Sequence, residues 1–206
     1  MIDLYTWSTP NGRKVSIMLE ECALPYRVHK INIGTNAEQF TPEYLKINPN
    51  GKIPSIVDPA GPERKPIAMM ESGAILIYLA DKTRKFFPDK TKYQVLQWLM
   101  FQMGSVGPMF GQAHHFMRAK KDEVPYGSER YGNEAKRLYG VMNTHLDKRE
   151  FFAGGYSIAD IAIYPWVARH EWHRVELAAF PAVKRWFEAL GARPAVARGM
   201  SVPQPN

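Results

Sequence analysis

The strongest constraint on the fold is a change of hydrophobic pattern along the chain. In its first part, residues 2–7 and 26–31 alternate between apolar and polar side chains, and two short stretches at 55–57 and 65–69 flank a Pro- and Gly-rich turn, which predicts four strands. After residue 90 the periodicity is helical, as in Val95 and Leu99. The charged, proline-containing segment 82–90 is typical of a linker. We therefore expect an α/β domain at residues 1–81 and an all-helical domain at residues 91–206.

The first domain is predicted to follow the order β-α-β-α-β-β-α. The opening strand leads through a turn at residues 8–12 into an amphipathic helix at residues 14–21, and the second strand closes a β-α-β unit with parallel strands. A further helix should start at Ser72. Pro66 within the last strand places that strand near an edge of the sheet, because proline cannot donate to the ladder.

Two segments of this domain predict a binding site for a small anionic peptide. The Ile53-Pro54 step, at the entry to a short apolar strand, favours a cis peptide bond that would turn the Ile53 backbone toward an extended ligand. Glu71-Ser72 opens an apolar helix, where a hydroxyl, free N–H groups and the positive end of the helix dipole can hold a carboxylate. One segment would bind a peptide backbone, and the other its charged end.

Composition narrows the class of protein. Lys and Arg total 27 against 20 Asp and Glu, which gives a net charge of +7. The basic residues are scattered, so nucleic acid is not an expected partner. Cys22 is the only cysteine, which rules out an internal disulfide or a Cys-x-x-Cys pair and suits a reducing compartment. Without a signal-like start or a long apolar run, we expect a cytoplasmic protein that does not bind membrane.

Neither histidine pair predicts a metal site. His114 and His115 are adjacent, so they point to different sides of a helix. His170 and His173 have a suitable spacing but lack a third convergent ligand. Likewise, Ser157-Ile158-Ala159-Asp160 invites a catalytic interpretation, but this pattern ahead of an apolar run predicts a helix capping box.

Five motifs carry a resemblance to a known family. They are Thr-Pro-Asn-Gly at 9–12, Asn-Pro-Asn-Gly-Lys-Ile-Pro at 48–54, Glu-Ser-Gly-Ala-Ile-Leu-Ile-Tyr-Leu at 71–79, Gly-Pro-Met-Phe-Gly-Gln-Ala-His-His-Phe at 107–116 and Glu-Arg-Tyr at 129–131. With the domain order, they resemble the soluble glutathione transferases, and within them the Nu class of glutathione-dependent disulfide-bond reductases. The resemblance implies a thioredoxin-like first domain, a C-terminal helical bundle, and glutathione or oxidised glutathione as co-substrate. It also implies a homodimer, with residues 69–71 and the helix near Tyr93 at the subunit interface.

Glutathione would need three contacts at such a site. Ser72 can donate to the α-carboxylate of the γ-glutamyl end, and Glu71 can accept from its ammonium group. The Ile53 backbone would pair with the cysteinyl unit. For the glycyl carboxylate, Lys52 supplies charge, and the family resemblance adds Gln39 as a neutral donor. The resemblance also carries Arg130 into the site, although a surface ion pair with Glu129 or Glu134 is the alternative.

The glutathione sulfur must react as a thiolate, so the site has to stabilise an anion. The turn at residues 9–12 opens the first helix, and its N–H groups, the Thr9 hydroxyl and the Asn11 amide can point at the sulfur. Ser8 competes with Thr9, because one residue of register decides which hydroxyl faces the sulfur. Tyr5 is expected to face the sheet core instead.

Cys22 is predicted to lie in the middle of a helix among apolar residues and is expected to be buried and inert. Both reducing thiols would then come from glutathione, as in the Nu class, and the protein would bind and orient them. The predicted function is therefore a glutathione-dependent reductase of a small disulfide, with no metal. The alternatives are a glutathione-conjugating transferase acting on an electrophile, a peroxidase, or a non-catalytic glutathione-binding regulator.

Overall fold

The computed structural model of the protein describes residues 1–120 and 123–204, which divide into two compact units. The first unit contains residues 1–85 and the segment that starts at Arg193, and the second runs from Phe86 to Ala192. The boundary between residues 85 and 86 falls inside the predicted linker 82–90. The helices are α1 (Pro10–Glu21), α2 (Pro42–Leu45), α3 (Ser72–Thr83), α4 (Lys92–Phe101), α5 (Gly107–His114), α6 (Pro125–Leu146), α7 (Ile158–Val167), α8 (Pro181–Gly191) and α9 (Pro194–Met200).

The first unit is built on a four-stranded sheet. Its strands are β1 (Ile2–Thr6), β2 (Tyr26–Lys30), β3 (Ser55–Asp58) and β4 (Ile67–Met70), in the spatial order β2-β1-β3-β4. β2 runs parallel to β1, with Val28 opposite Leu4, whereas β3 is antiparallel to both of its neighbours. The predicted β-α-β-α-β-β-α order and the edge position of β4 are confirmed, and Pro66 lies just before that strand.

α1 begins at Pro10, four residues before the predicted start at Lys14. Proline is favourable at the first position of a helix, because it has no N–H to leave unpaired and its φ is already helical. Thr9 has an extended backbone and accepts a hydrogen bond from the Gly12 N–H at 3.1 Å, which is an N-cap. The motif at residues 9–12 is therefore the first turn of the helix rather than a turn ahead of it.

α9 packs along α1, which is why the C-terminal segment belongs to the first unit and not to the predicted helical domain 91–206. The Ser16 hydroxyl donates to the Gly199 carbonyl at 2.7 Å, and a Cβ added at Gly199 would lie 2.5 Å from the Ile17 Cα. The side chains of Arg193 and Arg198 also pair with glutamates of α1. These contacts join residues about 180 positions apart, beyond the reach of local pattern analysis.

The second unit is helical, as predicted. α4 and α5 are joined by a π-helical turn at Gln102–Val106, and a second π-helical turn at His115–Ala119 follows α5. The predicted capping box at the start of α7 is confirmed by the hydrogen bonds of Ser157 and Asp160. Asp160 is fully buried and also accepts from Trp186 Nε1 at 2.9 Å, so it is a structural carboxylate.

None of the helices within residues 1–120 and 123–204 has the length and apolar composition that a membrane span requires.

Candidate functional site

A pocket in the first unit brings together the beginnings of α1 and α3 and the loop that precedes β3. Its lining consists of Asn11, Asn48, Asn50, Lys52, Ile53, Pro54, Glu71 and Ser72. Five of these residues are among the predicted site residues, and they come from three separate segments of the sequence. The pocket therefore places two helix N-termini, each with partly unpaired N–H groups, beside a loop of irregular backbone.

The loop before β3 is held in place by hydrogen bonds to its own backbone. Asn48 Nδ2 and the Tyr44 hydroxyl both donate to the Lys52 carbonyl, at 2.6 and 2.5 Å. Asn48 Oδ1 also accepts from the Asn50 N–H at 3.0 Å. Gly51 has a φ of +61°, and a Cβ there would lie 2.8 Å from the ring of Phe40. The Ile53-Pro54 peptide bond is cis, as expected.

The start of α1 contributes the Asn11 side chain to the lining. The Thr9 oxygen accepts from the Gly12 N–H, so the hydroxyl hydrogen of Thr9 can donate elsewhere. The Ser8 oxygen accepts from the Arg13 guanidinium at 3.1 Å, and Ser8 is exposed. Among the described residues, the lining includes neither hydroxyl, so the choice between Thr9 and Ser8 as the group nearest a bound sulfur stays a prediction.

The start of α3 has an unusual backbone. Glu71 is the N-cap residue with φ 65° and ψ 109°, and this helix start has no side-chain cap. A non-glycine residue in such a region costs on the order of 1–3 kcal/mol and persists where the surrounding structure holds it. Ser72, at the first position of the helix, is 6% exposed and lines the pocket. The N–H groups of this first turn and the Ser72 hydroxyl are suited to an anionic ligand.

Lys14 is a residue of this region that the sequence analysis did not find. It is 1% exposed, and its Nζ donates to the Ser72 hydroxyl oxygen at 3.3 Å. Burial lowers the pKa of Lys14 to about 7, while the nearby carboxylate of Glu71 acts in the opposite direction. One sequence signal could have found it, because Lys14 lies on the same face of α1 as the buried Ile17 and Met18.

Gln39 lies beside the pocket but is not part of its lining among the described residues. Its backbone carbonyl is 3.3 Å from the Cβ position of Gly51, so it neighbours the loop that carries Lys52. Its side-chain Oε1 is buried and has no hydrogen-bond partner. A buried amide oxygen without a partner is unusual, and it is suited to a ligand that donates a hydrogen bond to it.

Arg130 belongs to the second unit and lies on α6. There it lines a groove with Met109, Tyr131, Asn133, Glu134 and Arg137. Glu134 is held by Arg137 through two hydrogen bonds of 2.7 and 2.8 Å, and a side-chain hydrogen bond to Tyr126 raises the pKa of Arg130. The role of Arg130 toward a ligand stays a prediction.

Cys22 is buried, as expected, although it forms the C-cap of α1 rather than lying within the helix. It is 7% exposed, its Sγ lies 3.3 Å from the Thr83 hydroxyl, and burial raises the pKa of its thiol. The 12-residue helix separates it from the pocket by about 18 Å, at about 1.5 Å per residue. The thiol is therefore both protonated and remote.

Tyr5 does not face the sheet core as expected. Burial alternates along β1, so Leu4 and Thr6 lie on the buried face, while Tyr5 is half-buried on the other face and stacks on His29 at 4.6 Å. Within the part of the chain that the structure describes, no three or more His, Cys, Asp or Glu side chains form a cluster that could hold a metal ion.

Both units of the protein match models of known protein families. Residues 9–82 match the family model "Glutathione S-transferase, N-terminal domain", and residues 93–194 match "Glutathione S-transferase, C-terminal domain". The disulfide-bond oxidoreductase YfcG of Escherichia coli is 47% identical over 204 residues, which cover 97% of this chain and 94% of that protein.

Two solved structures are similar over nearly the whole chain. A glutathione transferase from Pseudomonas putida, with one glutathione disulfide bound per subunit, is 46% identical with a TM-score of 0.94, covering 98% of this chain and 91% of that one. Another, from Burkholderia graminis with two glutathione molecules bound per subunit, is 47% identical with a TM-score of 0.93, covering 100% and 89%. With both family models matched and this identity over the full length, the chain belongs to the glutathione S-transferase family.

Proposed function

We propose that this protein is a glutathione-dependent thiol–disulfide oxidoreductase, which reduces disulfides with the thiols of bound glutathione. The observation that carries the proposal is the pocket that joins the starts of α1 and α3 to the Lys52-Ile53-Pro54 loop, in a chain whose one cysteine is buried away from it. The names of its relatives support it, since YfcG is a disulfide-bond oxidoreductase.

The start of α3 would bind the γ-glutamyl end of glutathione. Ser72 and the N–H groups of the first turn would donate to the α-carboxylate, where the helix dipole adds a further attraction. Glu71 is exposed at the rim of the same pocket and would accept from the α-ammonium group. This division of roles places each charge of the zwitterion against its opposite.

The loop before β3 would bind the rest of the tripeptide. The backbone of Ile53 would pair with the cysteinyl unit, as in β-strand addition. Lys52, exposed at the pocket, would attract the glycyl carboxylate. Gln39 would add a donor to this carboxylate through its amide NH₂, while its buried Oε1 could accept from an N–H of the ligand backbone.

The start of α1 would stabilise the glutathione thiolate. Asn11 lines the pocket and would donate through its amide, and the Thr9 hydroxyl, whose oxygen already accepts from Gly12, would donate its hydrogen. Ser8 remains the alternative hydroxyl. A free thiol of pKa about 8.5 is mostly protonated at neutral pH, so these donors would increase the fraction of reactive thiolate.

The reaction needs two glutathione thiols for each disulfide. The first thiolate attacks one sulfur of the substrate, forms a mixed disulfide and expels the other sulfur as a thiolate, which takes up a proton. A second glutathione thiolate then attacks the glutathione sulfur of the mixed disulfide, giving oxidised glutathione and the second substrate thiol. The protein contributes binding, orientation and stabilisation of charge.

The test compares three reactions of the purified protein with glutathione. We expect a small symmetric disulfide to be reduced with one oxidised glutathione formed per disulfide, and Cys22→Ala to keep this activity. Conjugation of a chlorinated aromatic and reduction of an organic peroxide should be slower. A protein that conjugates but does not reduce disulfides would contradict the proposal, and one that binds glutathione without turnover would be a regulator.

We also propose that the protein is a cytoplasmic homodimer, with Arg130 near a glutathione site of its own or of the partner subunit. Tyr93 and Met100 are exposed on α4, at 81% and 52%, and their spacing of seven residues puts them on one face of the helix. Met70 is also partly exposed, at 37%. Sedimentation at micromolar concentration should show twice the 23.5 kDa chain mass, and a monomer alone would contradict the assignment.

A further inference from the structure

Lys14 is a buried lysine that links the two helix starts of the pocket. It projects from the first turns of α1, is 1% exposed, and is flanked by the fully buried Val15 and Ile17. Its Nζ reaches Ser72, 58 residues further along the chain, at 3.3 Å. A lysine is rarely buried to this extent unless it is paired.

The protonation of Lys14 determines the direction of this hydrogen bond. Protonated Lys14 has only donors, so in that form the Ser72 oxygen accepts and the hydroxyl hydrogen of Ser72 points away from Lys14. Ser72 lines the pocket, which is the side from which a ligand approaches. Lys14 thereby favours the rotamer in which Ser72 is a donor to that ligand.

We propose that Lys14 is a positioning residue of the α-carboxylate subsite, which orients the Ser72 hydroxyl toward the ligand and takes up a proton as the carboxylate arrives. The inference rests on the proposed binding of the γ-glutamyl end at the start of α3. It makes Lys14 the residue that selects ligands with a free α-carboxylate, and it couples their binding to pH.

The charges around Lys14 favour this coupling. Helices α3 and α9 pack against α1, and the charged group that acts on Lys14 from the side of α3 is Glu71. From α9, Arg193 and Arg198 are held by Glu21 and Glu20, six or seven residues away at the other end of α1. On α1 itself, Arg13 points to Ser8. Glu71 thus already favours the charged form of Lys14, and the carboxylate of a ligand would act in the same direction.

The sign of the effect follows from the direction of the shift. Burial lowers the pKa of Lys14 to about 7 without ligand, so at pH 8 most of the side chain is neutral. A carboxylate held beside Ser72 favours the charged form and raises this pKa. Binding therefore takes up a proton, and affinity is highest below pH 7 and decreases as the pH rises through the raised pKa of the complex.

Proton uptake can be measured on the unmodified protein with S-methylglutathione, whose sulfur cannot ionise. Calorimetric titrations at pH 8 in two buffers of different ionisation enthalpy give the number of protons bound with the ligand. We expect about half a proton or more. No uptake, with normal binding of the ligand, would overturn the inference while leaving the proposed function intact.

Variants test the residue itself. Lys14→Met should weaken S-methylglutathione binding about tenfold and abolish the uptake. A second ligand, S-methylglutathione without its α-carboxylate, should bind to Lys14→Met and to the original protein with equal affinity. In disulfide reduction, KM for glutathione should increase while kcat at saturation changes little. Lys14→Arg should retain affinity without the uptake, because arginine does not titrate in this range.

Lys65→Met is the matched control, since Lys65 is an exposed lysine of the same unit that pairs with Glu63 at 2.9 Å. It should leave affinity and uptake unchanged. Equal affinity of Lys14→Met and the original protein would contradict the positioning role. If Lys14→Met does not fold, the number of protons that the original protein takes up on binding S-methylglutathione still tests the inference. Failure of the proposed function would look different, because the unmodified protein would then not bind S-methylglutathione at all.

Discussion

The two helices that begin at the pocket start in different ways. α1 is completed by the chain itself, since Thr9 is extended at φ −125° and its side chain satisfies the Gly12 N–H. α3 starts at Glu71 with φ 65° and without a side-chain cap. The first is a stable structural start, whereas the second lacks a side-chain cap and holds strain in its backbone. The contrast suggests that α3 holds the ligand's charged end, while α1 supports the reacting sulfur.

The largest effect is expected at the start of α1, for the reaction rather than for binding. Asn11→Ala removes an amide donor from the sulfur and should cost about 1–3 kcal/mol, or roughly fivefold to 150-fold in rate at saturating glutathione. Initial rates of disulfide reduction measure it, and the thiolate absorbance of bound glutathione should show a raised thiol pKa.

Cys22→Ala is the control for this prediction, because the thiol lies at the far end of the same helix. It should keep most of the activity. Loss of activity in a folded Cys22→Ala protein would overturn the mechanism, since the protein would then supply a redox thiol of its own.

The next effect is expected at the start of α3, for binding. Ser72→Ala removes a hydrogen bond to a charged group and should weaken glutathione binding by about 1–3 kcal/mol. Calorimetry gives the dissociation constant, with Ser201→Ala as a control on an exposed serine of the same unit that bonds its own helix end. An unchanged constant in Ser72→Ala would mean that the γ-glutamyl end binds elsewhere.

A smaller effect is expected on the free energy of unfolding, because of the two helix starts only that of α1 has a side-chain cap to lose. Thr9→Ala removes the cap of α1 and should lower the free energy of unfolding by about 1 kcal/mol, whereas Thr9→Ser should retain it. Ser8→Ala should lower stability less than Thr9→Ala, because Ser8 is exposed and lies outside the helix. Chemical denaturation measures the difference, and the rates of the same variants decide which hydroxyl assists the sulfur. Equal stability of Thr9→Ala and the original protein would remove the contrast between the two helices.

The smallest effect is the release of strain at Glu71. Glu71→Gly should raise the free energy of unfolding by about 1 kcal/mol or less, because glycine tolerates positive φ but also gains freedom when unfolded. The same change should weaken glutathione binding through loss of the carboxylate. Glu63→Gly, at φ 54° in an exposed turn, should have the first effect without the second. A destabilised Glu71→Gly protein would show that the backbone there is not strained.

Local signals were enough to predict much of this molecule. The order of strands and helices, the cis bond before Pro54, the helix start at Ser72 and the capping box at Ser157 all depend on neighbouring residues, and each is observed. The five lining residues named in advance came from local motifs and the family resemblance.

The rest depends on contacts between distant segments. The contact of Lys14 with Ser72 follows only once α3 is placed beside α1, and the role of Asn48 follows only once its amide is seen to donate to the Lys52 carbonyl. α9 has helical periodicity, as predicted, but its pattern does not say that its partner is α1. The assignment of Gln39 and Arg130 to the site came from the family resemblance alone. Within the described residues, neither lines the pocket of the first unit.

The return of α9 to α1 has a consequence for the order of events during synthesis. The whole segment 86–192 is made before α9 leaves the ribosome, so the helical unit has its complete chain while the first unit still lacks one of its elements. At about 5–20 residues per second this interval lasts several seconds or more. During that time Ser16 and Ile17 have no α9 to cover them, and a nascent chain stalled before Arg193 would expose this part of α1 to chaperones.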